Sequence, residues 1–220
     1  MAKALNHFGL QPEFEISVPF EHRHQCWFCA EPANKGFIFP HSGHLVIDCP
    51  HPPLIVPSCK ECHAIAASIK KDSIWQVLQA LKAKLIEKYR KDLAIGLNWT
   101  KESLAESQFE GGNFEGFQKS AWFMYEVAKG RVNFTPWPIE LNGQLLEASF
   151  DKAVFYFDGV DYPCVDEAIK HYTLTFDISI NFFKQVLAKV GLDEFSYAVR
   201  YCRLFKGGTP QELNAAVKVL

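Results

Sequence analysis

Two Cys-x-x-Cys pairs, Cys26-Trp-Phe-Cys29 and Cys59-Lys-Glu-Cys62, constrain this 220-residue chain more than any other feature. Each pair can grip one cation through a single tight turn, and the intervening segment can bring the pairs together. Four thiolates so spaced are the ligand set of a structural zinc ion, with no position left for water or substrate. Cys26, Cys29, Cys59 and Cys62 are therefore the expected metal ligands, and the zinc is expected to fold the segment and to do no chemistry itself. Cys49 and His51 stand as alternative ligands, and His22 and His24 as donors to a bound thiolate.

The rest of the composition says what surrounds that site. Hydrophobic residues make up 48% and charged residues 22% of the chain, enough apolar material for a sizeable core and too little charge for a disordered chain. A net charge of −2 supplies no global attraction to nucleic acid or to an anionic membrane. No run approaches the roughly 20 apolar residues that span a bilayer. The N-terminus also lacks the apolar stretch of a secretory signal, so a cytoplasmic protein is expected, with no membrane partner. In a reducing compartment, seven cysteines with two close pairs point to metal before disulfides. Cys164 and Cys202 read as buried small hydrophobes.

Charge is unevenly placed. Between Lys70 and Lys91 seven basic residues, Lys70, Lys71, Lys82, Lys84, Lys88, Arg90 and Lys91, face two acidic ones, Asp72 and Glu87. The C-terminal third is acidic. Lys82, Lys84, Lys88, Arg90 and Lys91 are the candidate nucleic-acid contacts. The lysines fall largely off the apolar stripe of their helix and should be exposed; a solvated helix face has the same pattern.

Four regions are expected: an extended arm over 1–21, a zinc domain over 22–72, a helical region packed on it over 73–135, and a C-terminal α+β or helical region over 136–220. Gly36–Pro40 and His44–Asp48 read as two strands of a hairpin turning at His41-Ser42-Gly43. The second cysteine pair opens a helix. Ser73 caps another, Ile74, Val77, Leu78, Leu81, Leu85 and Tyr89 give it helical spacing, and Gly96 is its expected stop. Shorter helices follow over 100–108 and 114–129, the latter ending at Gly130, with Phe117, Ala121, Met124, Tyr125 and Ala128 on one face. Asn142-Gly143 and Asp158-Gly159 predict two small hairpins. Helices are expected over 165–172, 179–190, 194–205 and 209–220, the last opened by Thr209, Pro210 and Glu212. The fold class is α+β: a four-cysteine zinc domain of knuckle, β-hairpin and helix, followed by a mostly helical region with short hairpins.

That knuckle–hairpin–helix order looks like a treble-clef zinc fold, and residues 26–67 resemble the cysteine-bearing HNH endonucleases. Leu54-Ile-Val-Pro-Ser-Cys-Lys-Glu-Cys-His63 is similar to the family's stretch leading into its second cysteine pair. The resemblance implies that His41, after Phe37-Ile-Phe, falls at the general base, and that His63 matches the histidine following the pair. Pro40 stands at the metal-ligand position, Pro53 near the structuring Asn, and Ala67 where a further His often lies. An Mg²⁺ or Mn²⁺ ion would be needed for cleavage, and His44, Asp48 and His51 are the candidates for an unorthodox second site beside His41 and His63.

Three functions follow. The first is a treble-clef protein binding DNA or RNA with a degenerate nuclease site. The second is a protein–protein adaptor with zinc as a folding staple. The third is an active metal-dependent HNH endonuclease using His41 and His63 as catalytic residues.

Overall fold

The computed structural model describes residues 14–42, 44, 46–107, 114–148 and 154–220. An extended N-terminal segment carries Ile16 into the core, where its N–H donates to Ile55 O at 3.2 Å, and Ser17 N–H donates to Glu140 O at 2.7 Å. Two antiparallel strands follow, β1 (Lys35–Phe39) and β2 (Leu54–Ser58), with Phe37 opposite Val56. β1 therefore pairs with the segment before the second cysteine pair, and His44–Asp48 is not its partner. The reason is burial. All five residues of β2 are buried, because β1 covers one edge while Ile16 and Trp27 donate to Ile55 O and Pro57 O. Ile47 is 85% exposed and Asp48 is exposed, so the competing run offers the core little.

Helix α1 (Lys60–Ala67) begins at the second cysteine pair, with Cys59 just before it and Cys62 in its first turn. Ser73 caps α2 (Ile74–Lys88), its side chain accepting from Gln76 N–H. The expected long helix breaks at Tyr89 (φ −91°, ψ 14°), and α3 (Arg90–Asn98) continues through Gly96. Glycine is needed there for packing: a Cβ on Gly96 would lie 2.2 Å from the Tyr125 ring. Thr100 caps α4 (Lys101–Glu106) with a reciprocal box to Ser103. Helix α5 (Phe114–Asn133) runs past Gly130, burying Tyr125, Ala128, Arg131 and Val132. Of the expected inward face, Met124 is exposed, and the Phe117 side chain lies outside the described residues.

Both Gly turns form as expected. Asn142 and Gly143 (φ 52° and 78°) join β3 (Glu140–Leu141) to β4 (Gln144–Leu145), and Asp158 and Gly159 (φ 48° and 76°) join β5 (Phe155–Phe157) to β6 (Val160–Tyr162). Four helices complete the chain: α6 (Val165–Phe176), α7 (Ile180–Val190), α8 (Phe195–Leu204) and α9 (Pro210–Val219). The last starts at Thr209 with the expected capping box and Pro at N1. Cys202 is buried, but Cys164, just before α6, is exposed. One buried apolar cluster extends from Ile16 through the cysteines to Ala216, so the cysteine-bearing region and the C-terminal helices share a core. No helix among the described residues is long and apolar enough to cross a membrane.

Candidate metal centre

Cys26 and Cys29 lie on a knuckle before β1. Its geometry comes from backbone hydrogen bonds: Cys29 N–H and Ala30 N–H both donate to Cys26 O, and Cys26 N–H donates to Glu31 O at 2.7 Å. Ala30 adopts a left-handed conformation (φ 62°) to close this turn. Cys59 is the N-cap of α1, its sulfur accepting from Cys62 N–H at 3.3 Å, and Cys62 occupies the first turn. A helix N-terminus favours thiolate in both positions.

The four sulfurs lie within 4.8 Å of one another. Cys29 Sγ stands 3.4 Å from Cys62 Sγ and 3.8 Å from Cys59 Sγ. A tetrahedron of thiolates on zinc, with Zn–S of about 2.3 Å, has edges of about 3.8 Å. The donor set fits zinc, and it is closed at four. All four side chains are buried. Sulfur contacts, chiefly with Cys26, draw Cys29 down to about 7 and push Cys59 lower still. Cys26 (chiefly through Cys29) and Cys62 (chiefly through Cys26) are pushed up. Four thiolates at this spacing repel one another, and a divalent cation is what removes the conflict.

The surroundings supply charge compensation that no local motif announces. Arg131, from α5, donates to Cys29 Sγ at 3.6 Å and pairs with Glu61 of α1. Tyr89 donates to Glu61 Oε2 at 2.8 Å and accepts from Arg131, while Lys88 pairs with the other Glu61 oxygen. This network ties the first turn of α1 to the end of α2 and to α5. Sequence reasoning misses it because Arg131 stands 102 residues from the sulfur it touches. His22 is elsewhere occupied, stacked on Trp137 with ring centroids 4.6 Å apart and bonded to Gln25, and His24 is exposed.

His41 and His63 flank one ring: His41 stacks on Phe37 at 6.0 Å and His63 meets its edge at 5.8 Å. Burial, then the neighbouring Lys35 and His41 charges, hold His63 below the usual imidazole range. His51 sits apart. It is buried, its Nε2 accepts from Ile74 N–H at 3.0 Å at the start of α2 and its Nδ1 bonds the neighbouring Pro52 O at 2.9 Å, so both nitrogens are occupied. Cys49 donates to His51 O and lies outside the sulfur cluster. Among the described residues, the four cysteines alone form a group of three or more potential metal ligands. His44, Asp48 and His51 do not gather with His41 and His63 into a second one.

The basic residues divide. Lys82 is buried, its ammonium donating to Arg131 O and Phe134 O, both at 2.8 Å; it is not the exposed contact expected from its helical phase. Burial lowers its pKa to about 8, with the thiolates and Asp161 pulling the other way. Lys84, Lys88 and Lys91 are exposed, and Arg90 donates to Leu174 O at 2.9 Å.

Comparison with known proteins returned no match: no family model fits the chain, and no curated protein and no solved structure matches it. The likeness of residues 26–67 to HNH endonucleases rests on the local motif, and what stands on geometry is an α+β chain with a buried cluster of four cysteines suited to zinc.

Proposed function

We propose that this chain is a treble-clef zinc protein that binds DNA or RNA on the surface made by α1 and α2, with a nuclease site too degenerate to cleave. The observation that carries this reading is the fixing of two ammonium groups along α1: Lys84 donates to Ser68 at its C-terminal end, and Lys88 pairs with Glu61 in its first turn. Lys60, Lys70, Lys71 and Lys91 are exposed on or beside the same two helices. Such a surface attracts phosphates despite a net negative chain. His41 and His63 lie beside it around Phe37. With Pro40 at the position of the metal ligand, the step that needs an anchored cation has no support.

The test is a salt titration with mixed-sequence duplex DNA and single-stranded RNA. Replacing Lys84, Lys88 and Lys91 together by Ala should weaken binding and reduce the slope of log K against log salt by about 2–3. Absence of binding to either nucleic acid at low salt would refute the reading. Cleavage requiring Mg²⁺ or Mn²⁺ and lost in His41→Ala would replace it by an active endonuclease. The adaptor reading is favoured by apolar side chains left exposed on the C-terminal helices, Leu174 at 47%, Ile180 at 44% and Leu204 at 79%. Retention of a specific protein by the chain that fails to bind nucleic acid would support it.

A further inference from the structure

A cavity of about 750 Å³ opens between α2, the end of α5, the β3–β4 hairpin and β6. It lies within the range of small-molecule sites, roughly 300–1,000 Å³. Its walls are aromatic and aliphatic, with Trp27, Trp75, Phe134, Trp137 and Tyr162 among them. Lys82, only 8% exposed, is part of this wall. Of its three N–H groups, two go to the carbonyls of Arg131 and Phe134. The two lining carboxylates are placed differently: Asp161 is half-buried and Glu147 is exposed. The inner wall thus offers flat apolar surface and the third N–H of Lys82, and its buried charge is positive.

We infer that this cavity binds a small ring-bearing carboxylate, its apolar body between the indole walls and its carboxylate oxygen on the third N–H of Lys82, whose ammonium otherwise lies over the Phe134 ring at 5.8 Å. An ammonium already removed from water loses little more on meeting a carboxylate, whereas an uncharged apolar molecule leaves that N–H without its acceptor. The site is separate from the α1–α2 basic surface and does not depend on nucleic-acid binding.

Titrating the 220-residue, zinc-loaded chain with 2-naphthoate and with 2-naphthalenemethanol, by calorimetry and tryptophan fluorescence, tests the assignment. The carboxylate should bind saturably and at least about tenfold more tightly than the alcohol, the margin of one charge-assisted hydrogen bond. Lys82→Met should remove that preference. Leu145→Trp, at the 66% exposed rim of the cavity, should weaken both probes while leaving the fold intact. If Lys82→Met does not fold, the wild-type preference and the Leu145→Trp variant still decide. No saturable binding, equal affinity for the two probes, or binding unaltered in Leu145→Trp would overturn the inference.

Discussion

Arg131 joins the cysteine cluster to the rest of the core, since one guanidinium meets the Cys29 sulfur, the Glu61 carboxylate and the Tyr89 hydroxyl. A zinc ion with four thiolates carries a net charge of −2, and a buried cation beside it offsets part of that charge. Groups of this kind alter metal affinity by about 10–100-fold. Arg131→Met should accordingly weaken zinc binding at least about tenfold in competition with a chelator, with Arg131→Lys falling between; unchanged affinity in both would deny the role. His171 governs a different property. It is buried, bonded to Tyr162 OH through Nδ1 at 2.6 Å, and its Nε2 has no partner among the described residues. Burial, aided by the Arg90 charge, lowers its pKa to about 4. The unfolded chain then takes up the proton first as pH falls, so stability is full above about 6.5 and declines between about 6.5 and 4. The loss should total about 3 kcal/mol at most across that window. Denaturant titrations of wild type and His171→Phe at pH 7 and pH 5 should show a smaller difference in the variant; an equal difference would place the sensitivity elsewhere.

At the scale of elements, close approach outweighs propensity at Gly96. Within α3, alanine should gain about 1 kcal/mol of helix propensity. Its Cβ would meet the buried Tyr125 ring of α5 at 2.2 Å, however, and overpacking of that kind costs about 1–3 kcal/mol. Gly96→Ala should be net destabilising in chemical denaturation, and stabilisation would show that the two helices separate freely. The same residue shows where sequence reading stops. Gly96 reads as a helix stop, yet its use lies in a helix nearly thirty residues away. Turns set by local chemistry are legible: Asn142-Gly143, Asp158-Gly159 and the Thr209–Glu212 box all form as their residues require. The partner of β1 is not. His44–Asp48 and Leu54–Ser58 are both short apolar runs, and which one is buried is decided by Ile16 and Trp27 from outside either. Lys82 escapes the helical pattern for a related reason, because helical phase does not reveal two backbone carbonyls from the end of α5.

Across the whole molecule, the cysteine cluster and the C-terminal helices belong to one continuous core, with Cys62 and Ala216 in the same buried set. Ligation free energy is folding free energy where the site does not exist in the unfolded chain. Loss of metal should thus reach beyond residues 20–70, loosening α2 and α5 through Glu61, Tyr89 and Arg131. Chelator treatment at pH 7 should lower the melting temperature and increase hydrogen exchange in α5 as well as α1; exchange confined to the knuckle would mean that the two parts are energetically separate. The cysteine spacing makes the site legible because both pairs act within single turns, while this coupling depends on long-range packing. The most direct test of the central claim is elemental analysis of the purified protein beside Cys26→Ser and Cys62→Ser. One zinc per chain in the wild type and none in either variant is the predicted result, and a metal-free wild-type chain that remains folded would contradict it.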